Sequence, residues 1–136
     1  MKSSPNAACP SMEGMPTEAL EHVAAYFQTL SEPTRLQILN LLRQGERNVG
    51  ELAHLCGYTS ANVSRHLAML TQRGLVVRES RGTSVYYRIA DESVYALCDL
   101  VCGAIARQLE RTAHESAVFV QTTKRSAAAT RSKAAR

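Results

Sequence analysis

Glu51-Leu52-Ala53-His54-Leu55-Cys56-Gly57-Tyr58-Thr59-Ser60-Ala61-Asn62-Val63-Ser64-Arg65-His66-Leu67-Ala68-Met69-Leu70 is the stretch from which the rest of the chain can be read. It describes two short helices meeting at a glycine. The first, about Val49 to Cys56, stops at Gly57, the residue type that accepts left-handed backbone at a helix C-terminus. The second, about Ala61 to Arg73, is capped by Thr59 or Ser60 and ends at Gly74. Val63, Leu67 and Leu70 recur at helical spacing and form its inward stripe. The opposite face offers Ser60, Asn62, Ser64, Arg65 and, at its edge, His66. Short hydrogen-bonding side chains with one arginine are what a helix needs to enter the DNA major groove and reach base edges and phosphates.

Outward from this pair, the periodicity supplies a frame. Toward the N-terminus, Thr17 with Leu20, Val23, Ala24 and Phe27 predicts an amphipathic helix. Ser31-Glu32-Pro33 provides an N-cap and a first-turn proline for the next helix. That helix carries Leu36, Ile38, Leu39, Leu41 and Leu42 and ends before Gly45. Its apolar residues nearly encircle the axis, which predicts a central buried helix. Toward the C-terminus the period changes from helical to alternating. Leu75–Glu79 and Ser84–Ile89 are β-branched and aromatic strands joined by Ser80-Arg81-Gly82-Thr83, with Gly82 at the turn. The hairpin puts Arg81 at its tip and Arg78 on its flank, near a DNA backbone or minor groove. Asp91 caps a final helix from about Glu92 to Arg111 or beyond. The expected fold is mainly α with a small β-hairpin, a winged helix-turn-helix over 17–111. It is preceded by a flexible arm at 1–16 and followed by a basic, disordered tail at 112–136.

Composition agrees with this class. The chain has 136 residues, 45% of them apolar, and a net charge of +4. That is enough to fill one core, and wholesale disorder is excluded. The longest apolar run is Val23–Phe27, far short of the roughly 20 residues that span a bilayer, so no membrane partner is expected. The first sixteen residues lack the apolar stretch of a secretory signal, which predicts a cytoplasmic protein with reduced thiols. The charge is uneven. Residues 116–136 hold five Lys/Arg and no acid, and 60–90 hold Arg65, Arg73, Arg78, Arg81 and Arg88 against Glu79 alone. Clustered arginine is an electrostatic footprint of phosphate binding; the tail's composition suits weak, nonspecific attraction to nucleic acid. No glycine-rich phosphate loop, paired carboxylates or nucleophile beside a base points to an enzyme.

The run Glu51-Leu52-Ala53, Cys56-Gly57, Ser60, Asn62 to Leu67, Leu70 and Gly74-Leu75-Val76, followed by Gly82 and Tyr86-Tyr87-Arg88-Ile89, resembles the ArsR/SmtB family of bacterial metal-responsive repressors. Leu30-Ser31-Glu32-Pro33-Thr34-Arg35 with Ile38, Leu39 and Leu42 resembles that family's second helix. The likeness covers about residues 18–110. It implies a homodimer, joined through the first and last helices, that binds an inverted-repeat operator in double-stranded DNA and is released by an effector. It also implies where effector sites would fall. Cysteines early in the third helix would stand near Asn48 and Gly50, and those around the recognition helix near Met69 and Arg73; neither pair is present. The zinc positions across the last helices match Asp91, Ser93, Ala104 and Arg107, which is not a zinc set.

The cysteines leave another arrangement. Cys98 and Cys102 stand at i, i+4 on the final helix, one turn apart on one face, beside the stripe of Val94, Leu97, Val101, Ile105 and Leu109. Two thiolates so placed can clamp a soft ion, and Cys9 in the N-terminal arm could complete a three-sulfur site. Family analogy favours As(III) or Sb(III) over Cd(II) or Pb(II) as the effector. The alternative is a redox or reactive-sulfur sensor of the same fold using the same thiols. Cys56 reads as a core residue. His22, His54, His66 and His114 share no ligand spacing.

Overall fold

The computed structural model describes residues 11–134. Its elements are α1 (Thr17–Leu30), α2 (Pro33–Leu42), β1 (Arg47–Asn48), α3 (Val49–Cys56), α4 (Ser60–Gln72), β2 (Val76–Arg81), β3 (Ser84–Ile89) and α5 (Ser93–Ala134). The chain divides into two units, one up to Asp91 and one from Glu92 onward. Among the described residues, no helix is long and apolar enough to cross a membrane.

Local chemistry sets the helix boundaries in the first unit. Pro33 takes the first helical position of α2, so the N-cap is Glu32, whose carboxylate accepts from Arg35 N at 3.0 Å. Asn48 caps α3 by accepting from Glu51 N at 2.8 Å, and its amide donates to the Glu51 carboxylate. Gly57 ends α3 with φ 72°, where Cβ-bearing residues are strained, and Thr59 starts α4 by accepting from Asn62 N at 3.2 Å. The turn between the two helices is therefore fixed by one glycine and one hydroxyl.

The core lies between α2, α3, α4 and the hairpin. Ile38, Leu52, Val63, Leu67 and Leu70 are fully buried, with Leu39, Leu42, Leu75, Val76 and Tyr87 nearly so. The second helix is less enclosed than its composition predicts, because Leu36 is exposed on its outer side.

The hairpin belongs to a three-stranded antiparallel sheet in the order β1-β3-β2. Strand β1 pairs Arg47 with Tyr87 and Asn48 with Tyr86, and so ties the start of α3 to the wing. The β2–β3 register closes at Arg81↔Ser84 around Gly82-Thr83. Gly82 has φ 61°, and among the described residues no residue other than glycine has positive φ, the pattern of a type II′ hairpin turn.

In the second unit, α5 runs unbroken past Arg111, where the sequence reading ended the domain, as far as Ala134. The stretch expected to be a disordered tail is thus helical over its described part. The physical reason is composition: after Gly103 there is no glycine or proline, and alanine, arginine, lysine and glutamine favour helix. Leu100, Val101, Ile105, Leu109, Val118, Phe119 and Val120 are exposed along it.

Candidate nucleic-acid interface and thiol pair

Of the α4 residues expected to read DNA, all but one are at least partly open to solvent. Ser60, Ser64 and Arg65 are exposed and Asn62 is half-buried. Arg65 Nη2 donates to Asn62 Oδ1 at 3.0 Å, so the longest side chain of the face is held against its neighbour one turn away. His66 is the exception. It is 8% exposed and faces inward, with Nδ1 at 3.4 Å from Arg35 Nη1 and 3.7 Å from Glu32 Oε2. Its place three residues after Val63 and four before Leu70 puts it on the apolar stripe, so it leaves the set of residues that can reach a base.

On the wing, Arg78 is exposed along β2. Arg81 is also at the surface, but its charge is already matched. Its two terminal nitrogens meet both oxygens of Glu46, Nη2–Oε2 at 2.8 Å, and Nη2 also lies 3.0 Å from Glu79 Oε2. The guanidinium stands 5.1 Å from the centroid of the Tyr86 ring. Hydrogen bonds to Glu46 and Glu79 raise the Arg81 pKa further, and the Arg81 hydrogen bond holds the Glu46 carboxyl below its ordinary value. Two carboxylates thus share one guanidinium at the wing end, and the charge of Arg88 also acts on Glu46. A phosphate there must displace or share one of them.

Sequence reasoning missed this pairing, because Glu46 and Arg81 are 35 residues apart. It also missed the buried group around Arg35, which is 8% exposed. There the Glu32 carboxyl is subject to desolvation, which raises its pKa. The Arg35 backbone hydrogen bond and the charges of His66 and Arg35 outweigh that and hold it below its ordinary value. The only sequence signal was Ser31-Glu32-Pro33-Thr34-Arg35, a proline-led helix start with an arginine on its first turn.

The two thiols of α5 fall as the spacing requires. Cys98 is half-buried and Cys102 exposed, one helical turn apart on one face. Among the described residues, no three His, Cys, Asp or Glu side chains are grouped so as to hold a metal ion. What the pair presents is two sulfurs, a soft side-chain chemistry. Cys9, expected as a third ligand, lies outside the described residues. Cys56 is half-buried at the end of α3, and burial raises its pKa above the ordinary 9.0, which keeps it a thiol at neutral pH.

Comparison with known proteins bears on this geometry. The family described as "Bacterial regulatory protein, arsR family" matches residues 32–77, from the cap of α2 into β2. The HTH-type transcriptional regulator Rv0081 of Mycobacterium tuberculosis is 35% identical over 99 residues, which cover 72% of this chain and 85% of that protein. The regulator Rv0324 of the same organism is 44% identical over 82 residues, 60% of this chain, but the match spans only 36% of Rv0324's length. Among solved structures, the homodimeric winged helix-turn-helix DNA-binding domain Mb0332 from Mycobacterium bovis is 39% identical. It covers 74% of this chain and 95% of that one, with TM-score 0.63. The AntR antimony-specific transcriptional repressor is 25% identical over 81% of this chain and 98% of its own, with TM-score 0.62.

Proposed function

Since this chain belongs to the ArsR family of bacterial DNA-binding transcriptional regulators, we propose that it is a homodimeric repressor that leaves its operator when a thiophilic metalloid binds the thiolates of Cys98 and Cys102. The observation that carries the effector assignment is the pair itself: two sulfurs at i, i+4, one exposed and one half-buried, on a helix that also exposes Leu100, Val101 and Ile105 beside them. Soft, low-coordinate sulfur sites favour As(III) and Sb(III) over harder ions. The likeness to a repressor named for antimony supports the same choice. The α5 pair offers two sulfurs, so the third donor is Cys9 of the same chain or of the second copy.

DNA binding rests on α4. Ser60, Asn62, Ser64 and Arg65 face the major groove, and the wing contributes Arg78 and, once released from Glu46, Arg81. Two such helices, related by the dimer axis, read the halves of an inverted repeat. The exposed Phe27 of α1 and the exposed Val101, Ile105 and Leu109 of α5 are the apolar surface for dimerisation. The effector acts by preferring one dimer geometry; a coupling of about 1–3 kcal/mol changes operator affinity roughly 5–150-fold.

The test is fluorescence anisotropy on promoter DNA under reducing conditions, titrating As(III), Sb(III), Cd(II), Pb(II) and Zn(II) in turn. Release by a trivalent metalloid is expected, with Cys98→Ser and Cys102→Ser retaining DNA affinity but not release. Normal release in both variants would remove the site. The alternative is a redox or reactive-sulfur sensor using the same thiols, with Cys9 or a longer sulfur bridge, because a direct disulfide at i, i+4 on an unbroken helix is strained. Release by peroxide or persulfide, with loss of titratable thiols and no response to ions, would select that reading instead.

A further inference from the structure

We propose that Arg35 is a positioning residue: it locks the C-terminal end of α1 to the DNA-reading helix α4, and so sets the orientation in which α4 meets base edges. The proposal rests on α4 being the reading helix, as argued above.

The guanidinium works in two directions. Toward α1, Arg35 Nε donates to Thr29 O at 2.5 Å and Nη2 to Gln28 O at 3.4 Å. Both carbonyls lie in the last turn of α1, where carbonyl groups have no intrahelical donor. A cation at that end also complements the helix dipole. Gln28 O further accepts from Ser31 N at 3.1 Å and Ser31 Oγ at 2.6 Å, which pins the chain between α1 and α2. Toward α4, Arg35 Nη1 lies 3.4 Å from His66 Nδ1 and 3.6 Å from Met69 Sδ. Glu32 completes the group from the cap of α2, with its carboxylate on Arg35 N and 3.7 Å from His66 Nδ1.

A buried guanidinium is a costly way to fill space, and nonpolar packing alone would hold α4 in the core. Apolar contact is non-directional, however. Val63, Leu67 and Leu70 tolerate small rotations of α4 about its axis. Hydrogen bonds to two helix-terminal carbonyls on one side and an imidazole on the other do not. Because Ser64 and Arg65 are sequence neighbours of His66, the orientation fixed at His66 is transmitted at once to the reading face. Arg35 also gives any movement of α1 a direct path to α4.

The position of α4 affects sequence-specific binding and leaves charge-driven binding almost untouched, so the ratio of the two is the readout. Wild-type chain first selects a preferred duplex from a randomised library. Affinities for that duplex and for a scrambled duplex of equal length are then measured by anisotropy, well below the thermal midpoint, with folding followed by circular dichroism. In Arg35→Lys, which keeps the charge but cannot span both sides, the specific-to-nonspecific ratio falls at least about tenfold while scrambled-duplex affinity changes less than about twofold. His66→Leu severs only the α4 side and gives a fall in the same direction; His66→Gln restores an acceptor and recovers most of the ratio. If Arg35→Lys does not fold, the two His66 variants decide. Folded Arg35→Lys and His66→Leu chains that discriminate as well as wild type would overturn the proposal. Wild-type chain that selects no sequence would overturn both the proposal and the assignment of α4 as the reading helix.

Discussion

The reading unit and the final helix solve different problems with the same kinds of side chain. Up to Asp91, three arginines are held by named partners: Arg35 by helix-end carbonyls and His66, Arg65 by Asn62, Arg81 by Glu46 and Glu79. From Ser93 onward, one helix of 42 residues shows leucine, valine, isoleucine, phenylalanine and a thiol at its surface. A surface that must present a fixed hydrogen-bonding pattern to DNA benefits from being locked. A surface that must meet a second copy and an ion needs its apolar and sulfur groups accessible. Under the proposed function, recognition falls to the first region and response to the second.

The sharpest way to break that contrast is to truncate a leucine in each. Leu52 is fully buried, so Leu52→Ala leaves a cavity and is expected to cost about 2–5 kcal/mol. Leu100 is 72% exposed on α5, and Leu100→Ala is expected to stay within about 0.5 kcal/mol. Urea denaturation at one fixed protein concentration measures both. Equal losses would mean that Leu100 is as enclosed in the working protein as Leu52, and that α5 is a core element.

Glycine gives a test with opposite signs. Gly57 has φ 72°, and an added Cβ meets no atom within 4 Å, so the whole penalty of Gly57→Ala is backbone strain, about 1–2 kcal/mol. Gly103 is inside α5, and its Cβ would approach the end of the Arg107 side chain at 3.3 Å. That guanidinium is at an exposed position and can move, so Gly103→Ala is expected to stabilise by up to about 1 kcal/mol. Thermal midpoints should shift down for the first and up for the second. A fall in both would show that Gly103 permits a close approach needed by the assembled protein.

These contrasts also show what the sequence could and could not disclose. The two helices of the reading motif were legible because Gly57, Thr59 and Gly74 punctuate them, and the wing was legible because its period is two. Strand β1 was not, since Arg47–Asn48 is too short to have a period and is defined by pairing with Tyr86 and Tyr87. His66 was placed at the edge of the outer face although its spacing from Val63 and Leu70 is that of the stripe; its polarity outweighed its position. The helical course of 112–134 was written in the absence of glycine and proline, but its basic charge drew the reading toward a disordered tail. The partners of Arg81 and Arg35 come from distant segments, and no local pattern names them.

A smaller effect, confined to the first region, follows from its locked carboxylates. Glu32 and Glu46 have folded-state pKa values below their ordinary 4.5. A depressed carboxyl binds its proton less readily when folded, so its contribution is present above about pH 4.5 and is lost as pH falls through the folded value. The urea midpoint is therefore expected to hold down to that range and then drop. Glu46→Gln should remove part of the drop, and a drop unchanged in Glu46→Gln would show that the Arg81 pair contributes nothing to folding.

The least effect is expected where locking opposes binding. Glu46 and Glu79 both neutralise Arg81, so a DNA phosphate at the wing end must compete with two carboxylates for one guanidinium. Glu46→Gln keeps the shape of the contact and removes one negative charge. Operator affinity should rise a few-fold at low salt. The plot of log K against log salt should steepen by up to about 0.9, one further phosphate contact. Arg81→Gln should abolish this gain, because the gained contact belongs to Arg81. If Glu46→Gln tightens binding equally in the Arg81→Gln background, the effect is general charge and the wing end does not touch DNA. If it weakens binding, Glu46 is holding Arg81 in the posture that contacts the backbone, and the lock serves recognition on the wing as it does on α4.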